Sequence, residues 1–272
     1  MSNLMLYLGQ TFAQHALLAA ALVAIICGLI GPFVIRRNMS FAVHGISELA
    51  FTGAAAGLLF LSNALLGAII GALIVAISIG LLGVKEKERD SSIGVILAFG
   101  LGLGVLFLSY YRGFATAATN ILFGNVYGVS ATQLGALIAI FAIVVTGLFI
   151  MYRPLQFASV DPQVAAARGV PVRALGIVFL ILLALTVTAA AQIVGTLLVL
   201  SLAITPAAAA MRLSARPAIV ASLSVVFAFI AGVGGVLLSL ASSTIKPSIF
   251  VTFLSFLIYM LARFVVAPSL QK

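Results

Sequence analysis

The feature that most constrains this sequence is a series of apolar runs, each close to the length that a helix needs to cross a lipid bilayer. About 20 apolar residues span a hydrocarbon core of about 30 Å. Apolar and polar residues do not alternate within the runs, as they would in the strands of a membrane barrel. The runs lie at 13–35, 43–61, 64–84, 92–111, 132–152, 174–191, 193–211, 218–241 and 248–267. The sequence therefore predicts an all-α, polytopic transmembrane helical bundle of about eight or nine spans, since 43–61 or 193–211 could instead be broken or re-entrant.

The composition excludes a soluble fold. Of the 272 residues, 64% are hydrophobic and only 7% are charged, whereas a globule of this size needs a polar shell. We therefore expect residues 1–272 to form a single transmembrane domain surrounded by lipid, with no appended soluble domain. The first run ends in Arg36 and Arg37 rather than at a small-residue cleavage site, so we expect no removable signal peptide.

The net charge of +9 has a topological explanation rather than a nucleic-acid partner. If the N-terminus is outside, all but two of the 14 basic residues fall on the cytoplasmic side, and only Arg112 and Lys246 are external. The positive-inside rule therefore predicts an outer N-terminus and an inner C-terminus. The cytoplasmic group comprises Arg36, Arg37, Lys85, Lys87, Arg89, Arg153, Arg168, Arg173, Arg212, Arg216, Arg263 and Lys272.

One apolar run carries an imidazole and a carboxylate four positions apart, His44 and Glu48. That spacing places both side chains on one face of a helix. Ionisable groups at membrane depth are costly and usually face a pathway, and this ligand pair suits Mn²⁺, Fe²⁺ or Zn²⁺. A homodimer with this face on its axis would supply two such pairs. The alternatives are a structural hydrogen bond between the two side chains, or an interfacial position for His44.

The remaining reactive residues give weaker signals. The sole cysteine, Cys27, lies inside the first apolar run, and we expect it to be a small packing residue. The other histidine, His15, is expected to be an interfacial side chain at the outer end of that run. The sequence contains no nucleotide-binding glycine loop, no GxSxG or HExxH motif and no paired carboxylates. We therefore predict that the chain itself is not an enzyme.

Two loops have structure of their own. The segment 110–130 is too polar and glycine-rich to cross the membrane, and we expect a short surface or re-entrant helix there. In the cytoplasmic segment 157–176, Asp161 and Pro162 predict a helix start, because the carboxylate accepts from free backbone amides and proline suits a first turn. Gly169 and Pro171 predict its end. This capped helix could dock a partner protein, or it could be a turn helix that packs on its own domain.

Five segments together carry a family resemblance. They resemble, in order and spacing, segments of the permease subunits of ABC importers for zinc, manganese and iron(II), and the match covers nearly the whole chain. The segments are IRRNMSFAVHGISELAFTGAAAG, DSSIGVILAFGLGLGVLFLS, ILFGNVYGVS, DPQVAAARGVPV and VGTLLVLSLAITPAAAAMRLS.

The sequence departs from the commonest family pattern at two places. The usual pattern has aspartate and histidine four apart, D-x-x-x-H, just before the glycine that corresponds to Gly53. Here His44 takes the place of the aspartate and Glu48 that of the histidine, so the order is swapped while the chemistry is retained. Near the C-terminus, Lys246 stands where many relatives carry an aspartate before the proline, and it is a candidate outward-facing docking contact.

The resemblance implies a membrane domain like that of type II ABC importers. Two copies would form the pore in a bacterial plasma membrane, and two separate ATPase subunits would dock at 157–176. An extracytoplasmic metal-binding protein would contact 110–130 and 242–248. The metal ion would be cargo at His44 and Glu48, with no resident cofactor. The implied coupling residues are Asp161, Pro162, Ala165, Gly169 and Pro171.

Other functions remain open from the sequence. The nearest is an ABC permease for iron-siderophore or vitamin B12-like substrates, which would need a wider and less ionic path. An ATP-independent secondary metal carrier would usually show more intramembrane carboxylates and an internal repeat. A membrane enzyme or scaffold is disfavoured by the lack of paired catalytic groups.

Overall fold

The structure, a computed structural model, describes residue 7 and residues 9–82, 86–112, 114–242 and 245–266. All regular structure in these ranges is helical. Two basic residues that enter the topology prediction, Lys85 and Lys272, lie outside the described residues, as does part of 242–248. The α-helices are α1 (Thr11–Arg36), α2 (Ser40–Leu61), α3 (Ala64–Leu82), α4 (Glu86–Ser109), α5 (Phe114–Phe123), α6 (Ala131–Val160), α7 (Pro162–Ala167), α8 (Val172–Val194), α9 (Val199–Ala203), α10 (Thr205–Leu213), α11 (Pro217–Ser242) and α12 (Pro247–Val266).

The predicted spans correspond to these helices. Among the described residues, eight segments are long and apolar enough to cross a membrane. The remaining predicted run, 92–111, corresponds to α4, whose apolar part Gly94–Ser109 is shorter. The all-α transmembrane bundle of about eight or nine spans is thus confirmed. Helices α1 and α8 are the most enclosed, since 67% of the residues in the most apolar stretch of each are buried. The corresponding share for α6 is 28%.

The predicted run 193–211 is broken. Helix α8 stops at Gly195, whose φ of +86° lies in the left-handed region that favours glycine. A 3-10 turn, Thr196–Leu198, and the short α9 follow, and α10 begins with Pro206 in its first turn. We call residues 195–205 the broken segment. The run 43–61, by contrast, lies in the continuous helix α2.

The segment 110–130 folds back as the sequence predicts, forming α5 and a 3-10 turn at Val126–Gly128. It contacts the broken segment through two glycines with positive φ, Gly124 and Gly195. A Cβ on Gly124 would lie 2.8 Å from the Gly195 nitrogen. The Asn125 amide also donates to the Gln192 carbonyl at 3.3 Å. The short helix α5 is therefore anchored to the chain at the point where α8 ends.

The corner between α1 and α2 sets the position of the candidate site. It turns sharply at Asn38, which has a φ of +52°. The Arg36 guanidinium donates to the Gln156 side chain of α6 at 2.6 Å. The Arg37 guanidinium lies over the Phe179 ring of α8, 5.3 Å from its centroid. These contacts hold the first turns of α2 against the interior of the bundle.

Helices α2 and α3 form a tight hairpin that crosses at four glycines. A Cβ on Gly57 would lie 2.8 Å from the Gly67 Cα, and one on Gly71 would lie 2.9 Å from the Gly53 Cα. Such small residues let backbones approach closely where lipid supplies no hydrophobic drive.

Candidate metal site

The two predicted metal ligands lie on one face of α2. The His44 Nδ1 and Glu48 Oε1 atoms are 4.0 Å apart, and the side chains are 38% and 2% exposed, respectively. That distance is too long for a hydrogen bond between them. The structure therefore brings the pair together, but it does not show the hydrogen bond that was the alternative interpretation.

Each side chain has a buried atom with unused hydrogen-bonding capacity. Among the described residues, Glu48 Oε2 and His44 Nδ1 have no hydrogen-bond partner. Buried polar groups are nearly always paired, and an isolated buried carboxylate is very costly. A cation held between the imidazole and the carboxylate would satisfy both atoms. The chemistry of the pair therefore fits a divalent metal ion in transit.

His44 opens onto a cleft of about 460 Å³ beside the broken segment. Thr205, at the cleft, lies about 10 Å along α10 from Arg212, by the usual rise of about 1.5 Å per residue. The position of His44 in a pathway rather than at the membrane interface stays a prediction. The cleft is lined by Ser40, Phe41, His44, Leu200, Ile204 and Thr205.

Sequence reasoning missed two hydroxyl groups beside the site. The Ser47 hydroxyl donates to the Thr196 carbonyl at 2.6 Å, linking α2 to the broken segment. The Thr52 hydroxyl donates to the Gly100 carbonyl of α4 at 2.6 Å. Ser47 follows His44 by three positions and Thr52 follows Glu48 by four. Helical periodicity alone could therefore have placed both hydroxyls near this face.

One chain provides few ligands for a metal. In the part of the chain that the structure describes, no three His, Cys, Asp or Glu side chains lie together. Cys27 is fully buried in α1, and the His15 imidazole lies near the start of α1, 3.4 Å from the Val129 carbonyl. A second pair of ligands from another copy stays a prediction.

The segment 157–176 has the predicted helix start and end. Asp161 Oδ1 accepts from the backbone amides of Gln163 and Val164, both at 3.0 Å, and so caps α7. Gly169 ends the turn with a φ of +82°, and the Val170 amide donates to the Ala165 carbonyl at 3.0 Å.

The other predicted coupling residues lie in this short helix or just after it. Pro162 starts α7, Ala165 is its buried contact, and Pro171 directly precedes α8. An open cleft of about 820 Å³ adjoins α7 and the start of α8. The coupling role of these residues stays a prediction.

The opposite end of the bundle carries a second polar region. The Lys246 Nζ lies 5.4 Å from the centroid of the Phe123 ring of α5, and its side chain is exposed. Its role as a docking contact stays a prediction. A cavity of about 400 Å³ lies behind α5, and its lining includes Asn120, Asn125 and Gln192.

Comparison with known proteins places this geometry in a family. The family model described as the ABC 3 transport family matches residues 10–266. The manganese transport system membrane protein MntC of Halalkalibacterium halodurans is 35% identical over 244 residues, covering 88% of this chain and 84% of that protein. The high-affinity zinc uptake system membrane protein ZnuB of Haemophilus influenzae is 28% identical, covering 82% of this chain and 86% of that protein.

A solved structure agrees with the sequence comparisons. PsaBC from Streptococcus pneumoniae, determined in complex with Fab, matches with a TM-score of 0.85 and 28% identity, covering 94% of this chain and 92% of that chain. The fold, the order of the motifs and the matched length therefore agree. The chain belongs to the ABC 3 transport family, the family of membrane-spanning permease subunits of metal importers that its motifs resemble.

Proposed function

We propose that this chain is the permease subunit of an ATP-driven importer of divalent metal ions, Mn²⁺, Zn²⁺ or Fe²⁺, and that two copies form the pathway. The observation that carries this proposal is the pair of His44 and Glu48. A buried carboxylate without a complete set of hydrogen bonds faces an imidazole inside the membrane-spanning bundle.

The chemistry of the two ligands restricts which metal ions the chain would transport. Imidazole nitrogen and carboxylate oxygen suit Mn²⁺, Fe²⁺ and Zn²⁺, whereas Cu(I) prefers thiolate or thioether. The names of the relatives refer to manganese and zinc. Manganese is therefore the first ion to test.

The homodimer follows from the number of ligands. Two protein ligands are too few to replace the hydration shell of a transition metal, and His44 opens onto a cleft at the surface of a single chain. A second copy related by twofold symmetry would bring two imidazoles and two carboxylates to one axis.

The distribution of charge supports an outer N-terminus and an inner C-terminus in a bacterial plasma membrane. Arg36 lies beside α6 near its end, Arg173 contacts the Leu81 carbonyl near the end of α3, and Arg212 contacts the Tyr259 hydroxyl. These ends share one side of the bundle with α7.

The two ends of the bundle would bind different partners. Two separate ATPase subunits would dock at α7 and the adjoining cleft on the cytoplasmic side. An extracytoplasmic metal-binding protein would contact 110–130 and the region around Lys246.

The test is uptake of Mn²⁺, Zn²⁺ and Fe²⁺ by cells that lack the chain and carry either the natural sequence or the double variant His44→Ala with Glu48→Gln. We expect the double variant to reach normal membrane levels, to co-purify with the ATPase and to lose uptake. His15→Ala, which alters the histidine at the outer end of α1, is the matched control and should transport normally. Full uptake by the double variant would refute the site.

The ATP-driven mechanism has a separate test. Removal of the partner ATPase should abolish uptake through the natural chain. Uptake that persists without the ATPase would instead favour the secondary carrier.

A further inference from the structure

Three buried polar atoms without a hydrogen-bond partner among the described residues lie on α2 and on the broken segment that packs beside it. His44 Nδ1 and Glu48 Oε2 come from α2, and Thr196 Oγ1 comes from the broken segment. Thr196 is only 3% exposed, and its hydroxyl has no hydrogen-bond partner among the described residues. Two other buried threonines behave differently, since Thr186 and Thr188 donate to carbonyls of their own helix α8, both at 2.9 Å.

The break in the helix explains why the Thr196 hydroxyl is unpaired. A threonine inside a helix usually donates to the carbonyl four residues earlier. For Thr196 that carbonyl belongs to Gln192, which accepts instead from the Asn125 amide of the segment 110–130. The left-handed Gly195 also turns the chain just before Thr196. The fold therefore removes the local acceptor while keeping the side chain buried.

The register of the two segments places Thr196 level with Glu48. The hydrogen bond from Ser47 to the Thr196 carbonyl fixes one point of contact, and His44, one turn earlier, shares its cleft with Leu200. The two segments thus run in opposite directions along each other. Glu48, which directly follows Ser47, lies at the level of Thr196.

We propose that the Thr196 hydroxyl is a third donor to the transported cation, beside the Glu48 carboxylate and the His44 imidazole. This inference rests on the proposed function and adds a residue that determines specificity. A neutral oxygen donor favours Mn²⁺, because carboxylate, carbonyl and water oxygens suit that ion, whereas imidazole suits Zn²⁺. Thr196 therefore biases a mixed nitrogen and oxygen site toward manganese.

The test compares Thr196→Val, which removes the hydroxyl at nearly constant shape, with Thr196→Ser, which keeps it. Thr188→Val is the matched control for a threonine paired within its own helix. Ser224→Ala is the control for a buried, unpaired hydroxyl on another helix, α11. Each variant is assayed in the complete transporter for the KM of Mn²⁺ and of Zn²⁺ uptake, and purified complexes are titrated with Mn²⁺ alone.

We expect Thr196→Val to weaken Mn²⁺ binding and raise its KM by about tenfold, the scale seen when a supporting group of a metal site is lost. The KM for Zn²⁺ should change less, so the preference for manganese falls. Thr196→Ser should restore both values, and the two controls should match the natural chain. A purely structural role would not alter the ratio between the two metals.

Two results would overturn the role of Thr196. In one, Thr196→Val matches Thr188→Val in both KM values while Glu48→Gln loses uptake, which leaves the proposed function intact. In the other, Thr196→Val weakens both metals equally and Thr196→Ser gives no rescue. Normal uptake by Glu48→Gln would instead refute the proposed function itself.

Discussion

Glu48 and Asp161 both carry carboxylates, but the two differ in their exposure and in their hydrogen bonds. Asp161 lies at the exposed start of α7, where one of its oxygens accepts two backbone amides at 3.0 Å. Glu48 lies in the middle of α2, is 2% exposed and has one oxygen without a hydrogen-bond partner among the described residues. One carboxylate is satisfied by its own helix, and the other is buried with unused capacity.

The contrast separates a structural carboxylate from one that is available to a ligand. Asp161 performs a local task, because a free helix N-terminus needs acceptors and a short polar side chain supplies them. Glu48 has the His44 imidazole 4.0 Å from its Oε1 atom, while its buried Oε2 atom has no hydrogen-bond partner among the described residues to offset the cost of its burial. In the proposed function, the transported cation would compensate this charge.

The same change, from carboxylate to amide, should have unequal effects at the two positions. Glu48→Gln should lower metal uptake by about 100-fold, because the neutral amide cannot balance a divalent cation. It should not lower the thermal midpoint, since it removes a buried charge.

Asp161→Asn is the matched control for that change. Asparagine caps helices as well as aspartate does, so uptake and stability should both stay normal. Uptake assays and melting curves on purified complexes measure the two effects. Equal losses at both positions would contradict the comparison.

Removing the cap altogether should give an intermediate effect. Asp161→Ala should cost α7 about 1 kcal/mol, or about fivefold in the population of the formed helix. Because we place the ATPase contact there, uptake and metal-stimulated ATP hydrolysis should fall together by a similar factor, while Mn²⁺ binding stays normal. Reduced Mn²⁺ binding by this variant would show that the loop and the metal site are not separate elements.

The smallest effect should follow from Ser47→Ala, which removes the hydrogen bond that holds Glu48 beside the broken segment. The loss should be about 1 kcal/mol of stability, or a fall of about 2–4 °C in the thermal midpoint. Uptake per folded molecule should change less than about twofold. Ser78→Ala is the control, because the Ser78 hydroxyl donates within its own helix to the Ile74 carbonyl. A Ser47→Ala variant as inactive as Glu48→Gln would show that Ser47 is part of the site.

Local patterns in the sequence predicted the features that depend on local physics. The apolar runs predicted the spans, because length and hydropathy decide whether a helix can cross lipid. Asp161 and Pro162 predicted the start of α7, because a cap and a first-turn proline act within one turn. The spacing of His44 and Glu48 predicted their shared face.

The features that the sequence did not predict depend on contacts between segments that are far apart along the chain. Helical periodicity gives His44 and Glu48 the same direction, and only packing decides that Glu48 is buried and His44 partly exposed. The Ser47 contact with the Thr196 carbonyl joins residues 149 positions apart, so no local pattern carries it. The open question of whether 193–211 was continuous was settled by the backbone at Gly195.

The glycine crossing of α2 and α3 limits how these two helices can move relative to each other. Because Gly53 and Gly57 touch the backbone around Gly67 and Gly71, sliding one helix along the other would drive bulkier neighbours into the gap. We therefore expect α2 and α3 to move together as one rigid unit. The Arg173 guanidinium contacts the Leu81 carbonyl at the far end of α3, so in the proposed function a movement delivered at the loop before α8 would reach the hairpin that carries Glu48.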